Sequence, residues 1–127
     1  MKDYPEIGTL TGVYLEDSFV IEIAEESDTV KFKVDAVLAK NHPMYREPKH
    51  GEQYCYADGW LVFAGASRID WVRRCEQRFT DAAGDEDLGN IDYLKLEQDH
   101  WLVGGDWGEV RIFGDVVPEL VFASDAS

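Results

Sequence analysis

Val30-Lys31-Phe32-Lys33-Val34-Asp35-Ala36-Val37-Leu38 alternates apolar and polar residues with a period of two. Val30, Phe32, Val34, Ala36 and Leu38 fall on one face, and Lys31, Lys33 and Asp35 on the other. That is the pattern of a strand with one face on a core and one in water. Immediately upstream, Phe19, Ile21 and Ile23 alternate with Val20, Glu22 and Ala24. The polar stretch Glu25-Glu26-Ser27-Asp28 between the two segments suits a hairpin loop.

Similar signals recur along the chain. Asp58-Gly59, between Gln53–Tyr56 and Trp60–Phe63, predicts a second hairpin, because Asp-Gly supplies the positive φ angles of a type I′ turn. On that reading Trp60 and Phe63 are both buried aromatics of a central hairpin. A third hairpin is expected around Gln98-Asp99, between Ile91–Leu96 and Trp101–Val103, and Gly104-Gly105-Asp106 reads as a turn into Glu109–Phe113. Pro118, within the apolar segment Val116–Phe122, cannot donate to a ladder and points to an edge or a bulge. Thr9–Leu15 is expected as a first strand bent at Gly12, with Glu16-Asp17-Ser18 as the turn after it.

Ser67–Phe79 reads two ways. Ile69, Val72, Cys75 and Phe79 make a helical stripe, and Ser67 with Asp70 has capping-box spacing. As a strand, Ile69 and Trp71 share one face. The strand reading, through Val72 and then a loop, is preferred, so at most one short helix is expected near 67–79. The fold expected is therefore all-β: one domain over residues 1–127, a barrel or sandwich of about eight or nine short antiparallel strands.

The chain has 127 residues, with 26 Asp and Glu against 12 Lys and Arg, a formal net charge of −14. Its 45% hydrophobic and 13% aromatic content is enough to build a core. The charge argues against nucleic acid and anionic lipid as partners, since binding a polyanion needs clustered Lys and Arg. No apolar run reaches the roughly 18 residues of a membrane-spanning helix. The opening Met1–Glu6 lacks the features of a signal peptide. Two cysteines, Cys55 and Cys75, are too few for a disulfide framework, so reduced thiols in the cytoplasm are expected.

Three groups are candidates for function. The acidic loop Asp81–Asn90 carries Asp81, Asp85 and Asp87. Asp85, Asp87 and Gly89 resemble a fragment of a calcium loop but lack its closing Glu, and the alternative is a solvated acidic surface. Whether a metal binds there stays open. The loop Asn41–His50 brings His42 and His50 ahead of Cys55, a possible base for a thiolate or part of a zinc site. Against this, Cys55 between Tyr54 and Tyr56 reads as a small buried hydrophobe. Among four tryptophans, Trp107 in Gly105-Asp106-Trp107-Gly108 stands at a turn, either as a binding aromatic or as core packing at the rim. Asp99-His100 are expected on opposite faces of a strand and so not as a dyad. No catalytic residue and no cofactor is implied.

Tyr14-Leu15-Glu16-Asp17-Ser18, His42-Pro43, Gly51-Glu52-Gln53-Tyr54-Cys55-Tyr56 and Gly105-Asp106-Trp107-Gly108 together resemble a family of small acidic bacterial proteins of unknown function. The resemblance spans nearly the whole chain. It implies a bacterial, cytoplasmic, single-domain protein and adds no site residue.

Charge of this kind suits capture of a basic protein surface, in the manner of immunity or inhibitor proteins. Asp81, Asp85, Asp87 and Trp107 are the candidate binding residues. The alternatives are a small-ligand or metal-binding β-barrel, with Gln53 and Asp92 as inward polar side chains, and a small enzyme of undetected type. A surface adapted to high salt is a fourth reading. Net charge disfavours self-association, while an edge strand near Pro118 or an apolar patch leaves a dimer open.

Overall fold

A computed structural model describes residues 2–3, 12–40, 42, 45, 47, 55–75, 79–80 and 86–122. Eleven strands and no helix occur among them. In chain order these are β1 (Lys2–Asp3), β2 (Val13–Glu26), β3 (Thr29–Leu38), β4 (Cys55–Phe63), β5 (Arg68–Arg74) and β6 (Phe79–Thr80). They continue with β7 (Glu86–Asp87), β8 (Ile91–Leu96), β9 (His100–Gly105), β10 (Gly108–Phe113) and β11 (Glu119–Phe122). Three of the eleven are two-residue pairings, which leaves eight longer strands, in keeping with the expected all-β barrel or sandwich. Two larger antiparallel sheets have the orders β1-β8-β9-β10-β5 and β11-β4-β3-β2, and β6 pairs with β7.

The decisive alternating stretch behaves as its pattern requires. Val30, Phe32, Val34, Ala36 and Leu38 are buried, and β3 sits between β2 and β4. Its inner face meets Leu61, Phe63 and Cys55 from β4 and Val103, Val110 and Ile112 from the other sheet in one continuous core. The hairpin at Ser27-Asp28 forms, and so does the one between β8 and β9. The strand reading holds for the described part of 67–79, as β5 pairs with β10 from Arg68 to Arg74, and residues 76–78 lie outside the described residues. Edge strand β11, which bonds to β4 alone in the described ladder, begins directly after Pro118.

Two turn expectations are overturned. Asp58-Gly59 is not a hairpin: β4 runs straight through it, with Asp58 opposite Asp35 and Gly59 opposite Val34. The glycine is needed for close approach instead, because a methyl there would sit 2.9 Å from the Val121 carbonyl oxygen. Likewise Glu16-Asp17-Ser18 is no turn. What looked like two strands is the single bent β2, whose register with β3 shifts between Tyr14 and Phe19 and again between Val20 and Glu22.

Ser18 holds that bend. It is fully buried; its hydroxyl donates to the Tyr14 carbonyl (2.7 Å) and accepts from the Val37 amide (2.9 Å). Both are backbone groups of the Tyr14–Val37 pair, the last before the register shifts, and the hydroxyl bridges them. Beyond the bend, Val20 donates to the Gly89 carbonyl (2.8 Å), Leu88 donates back to Val20 (2.7 Å), and Phe19 bridges Asn90. The segment 88–90 then enters β8. Thus β2 hydrogen-bonds both to β3 and to the segment that leads into the five-stranded sheet.

Trp60 and Phe63 separate on this strand. Phe63 faces inward, with no solvent exposure, edge-on to Phe32 at 5.9 Å. Trp60 faces outward and is half-buried, with the Lys31 ammonium 5.5 Å above its ring. We expect Phe63→Ala to lower unfolding free energy by about 3–5 kcal/mol, and Trp60→Ala by less than about 2 kcal/mol, in urea titrations. Equal losses would contradict the observed orientation of β4.

Candidate functional site

The site grows from the crossing of segment 88–90 over β2. Gly89 has φ +104°, a conformation only glycine adopts readily, and its amide donates to Asp87 Oδ1 at 2.8 Å. The open side of Gly89 is occupied by Asp106, and a methyl there would lie 2.7 Å from the Asp106 carboxylate. Asp106 reaches this point because it opens the two-residue connection between β9 and β10, whose other member, Trp107, turns inward. Asp92 projects from the register shift between Ile91 and Tyr93 and is exposed. Asp87, Asp92 and Asp106 therefore gather at one rim. Burial, reinforced by the charge of Asp106, holds the Asp92 carboxyl above its ordinary pKa.

A transverse row stiffens the outer face beside the rim. Tyr93, Gly104, Glu109 and Arg73 are successive neighbours across β8, β9, β10 and β5. Gly104 leaves room for the Tyr93 ring to lie across β9, so that its hydroxyl donates to Glu109 Oε1. Burial and this acidic partner push the Tyr93 phenol up to about 12. Arg73 completes the row, donating to the Gly105 carbonyl at 3.3 Å.

The residues singled out from the sequence fare differently. Asp87 lies at the rim, while Asp81 and Asp85 fall outside the described residues. Trp107 is corrected as a surface binding residue, since its ring has no solvent exposure. It packs against Phe32 (4.8 Å between centroids) and Trp71 (6.0 Å), and its Nε1 donates to the Asn90 carbonyl at 3.1 Å. Asp92 points outward rather than into a barrel. Gln53 and His50 lie outside the described residues. His42 packs edge-on against Phe122 at 5.3 Å, and burial lowers its pKa. Cys55 is buried and Cys75 half-buried, both as free thiols.

Asp99 and His100 are brought together after all, with His100 Nδ1 2.7 Å from Asp99 Oδ1. Asp99 belongs to the turn and not to a strand, so the alternation rule does not separate them. The hydrogen bond to His100 is the main cause of the lowered Asp99 pKa. His100 stacks on Phe113 (4.8 Å), and the Arg68 guanidinium covers Phe113 at 4.0 Å. This is a surface stack at the opposite end of the sheet from the acidic rim.

Among the described residues no three His, Cys, Asp or Glu side chains are grouped to hold a metal ion. The buried side chains of the described core are apolar apart from Ser18, whose hydroxyl is already used. No protein-family model, curated protein or solved structure matches the chain.

The raised Asp92 pKa fixes the sign of a pH effect. In acid both folded and unfolded forms are protonated and Asp92 has no influence. As pH rises past the unfolded and then the folded pKa, ionisation costs the folded protein more, and stability falls. Asp92→Asn should therefore raise the urea midpoint at neutral pH and leave it unchanged below about pH 3. An unchanged midpoint at both would show that neither desolvation nor Asp106 raises the Asp92 pKa.

Proposed function

We propose that the protein is an acidic protein-interaction module, of the immunity or inhibitor kind, that captures a basic protein partner. The observation that carries this reading is the gathering of Asp87, Asp92 and Asp106 at one rim of a chain with net charge −14. Carboxylates held close together repel one another, and a partner's Lys or Arg side chains relieve that repulsion on binding. The long-range negative field speeds the encounter and turns away anionic competitors.

Asp81 and Asp85 adjoin Asp87 in the sequence and add to the negative charge of that stretch. Two free thiols suit a reducing compartment, and with the family resemblance the reading puts the module in the bacterial cytoplasm.

The test uses the protein as bait in lysate of the organism that encodes it, at low and high salt, followed by affinity measurements on the captured protein. A basic partner retained at low salt and shed at high salt is expected. Asp87→Asn, Asp92→Asn and Asp106→Asn combined should weaken that affinity about tenfold or more and flatten its salt dependence. Asp81→Asn with Asp85→Asn tests the adjoining loop in the same way. Undiminished affinity in the rim variant would overturn the assignment of the site.

A further inference from the structure

The outward face of sheet β11-β4-β3-β2 changes character along its strands. The ladder registers divide it into rows. Tyr14, Val37 and Tyr56 form the first, and Phe19, Asp35 and Asp58 the second. Glu22, Lys33, Trp60 and Val121 form the third, and Ala24, Lys31, Val62 and Glu119 the fourth. Both lysines thus belong to one end of the face. Among the described residues, the other end holds Tyr14, Phe19, Tyr56, Asp35 and Asp58 and no cation. Asp35 lies directly opposite Asp58, a placement in which like charges destabilise a ladder. Asp58 is exposed, and Lys33, one row away and opposite Glu22, forms no ion pair with it. The Phe19 and Tyr56 rings stack across β3, 6.4 Å between centroids and 28° from parallel, and Tyr14 is 46% exposed. Asp58 follows Tyr56 by two residues on the same face, a step of about 7 Å. Phe19 also bridges Asn90, so this corner adjoins the segment 88–90 on which the acidic rim is built.

We propose, on the reading of the protein as a module for a basic partner, that this corner receives an arginine side chain of that partner. A guanidinium is planar, so it lies against an aromatic ring while its N–H groups donate to a carboxylate. Phe19 and Tyr56 supply the ring surface, and Asp58 accepts the hydrogen bonds. Asp35 adds a second negative charge beside it, and the arginine relieves the repulsion between the two. An ammonium gains from the same charges but stacks less well, so the corner prefers Arg to Lys. A single exposed contact of this kind is weak. Its neighbourhood to the rim makes it one point of a footprint in which Asp87, Asp92 and Asp106 take further cations of the same partner, and the ring stack selects which basic surface fits.

NMR titration with the tripeptides acetyl-Gly-Arg-Gly-amide and acetyl-Gly-Lys-Gly-amide, at matched ionic strength, tests the corner without the partner. The arginine peptide should move the Phe19 and Tyr56 ring signals and the Asp58 carboxyl in a saturable way. Its affinity should exceed that of the lysine peptide about threefold or more. Asp58→Asn should weaken it about threefold or more and, at an exposed position, leave thermal melting unchanged. Tyr56→Leu should abolish the preference for arginine, with circular dichroism checking that the variant is folded. If it is not, Asp58→Asn and the comparison of the two peptides decide the matter. Equal affinity for both peptides overturns the proposal, and so does an arginine peptide that leaves Phe19 and Tyr56 unmoved. Shifts confined to Asp92 and Asp106 also overturn it, while leaving the rim as a site for a basic partner. Failure of the rim reading has a different signature, a captured partner indifferent to the combined rim variant.

Discussion

Strand β2 makes backbone hydrogen bonds both to β3 and to residues 88–90, the segment that leads into β8, and the site is built on the bend beside that crossing. The register shift after Tyr14 turns the strand, and the Ser18 hydroxyl bridges the Tyr14 carbonyl and the Val37 amide, the last pair before the shift. A buried carbonyl or amide without such a partner costs about 1–3 kcal/mol, so a serine at this point is a structural requirement. From there Val20 takes up Leu88 and Gly89, and the chain passes into β8.

The acidic rim is a consequence of the same crossing. Because residues 88–90 must lie against β2 and still turn into β8, Gly89 takes a positive φ and presents a bare backbone to Asp106. Trp107 pulls the neighbouring turn inward by packing on Phe32 and Trp71, leaving Asp106 on the outside. Core packing on one side of the turn and carboxylate placement on the other are therefore one event. The proximity of Asp106 to Asp92 is thus set by the fold.

Much of this architecture is written in the alternation of side chains. Val30–Leu38 shows its inner face directly, and Pro118 marks its neighbour as an edge, because one missing donor leaves few places in a sheet. The misreadings share a cause. Asp58-Gly59 and Glu16-Asp17-Ser18 carry turn chemistry, but that chemistry serves equally for close approach and for a bulge, and only tertiary neighbours decide which. Gly59 is explained by Val121, sixty-two residues away in the chain, and Ser18 by Val37. The site was less legible still. Asp87 stands out in an acidic run, whereas Asp92 and Asp106 are brought together by a register shift and a tight turn that no local pattern announces. Asp106 alone had a signal, standing next to a tryptophan that must face inward.

Surface charge is divided by the same sheets. One end of the five-stranded sheet gathers carboxylates, while the outer face of the four-stranded sheet carries Lys31 and Lys33 together with Asp35 and Asp58. The convergence of Asp87, Asp92 and Asp106 at the rim is read out by site-resolved NMR titration of the aspartate carboxyls. Asp92 should titrate above the ordinary aspartate range and move back toward it in Asp106→Asn. An ordinary Asp92 titration, unmoved by that substitution, would contradict the crossing that assembles the site.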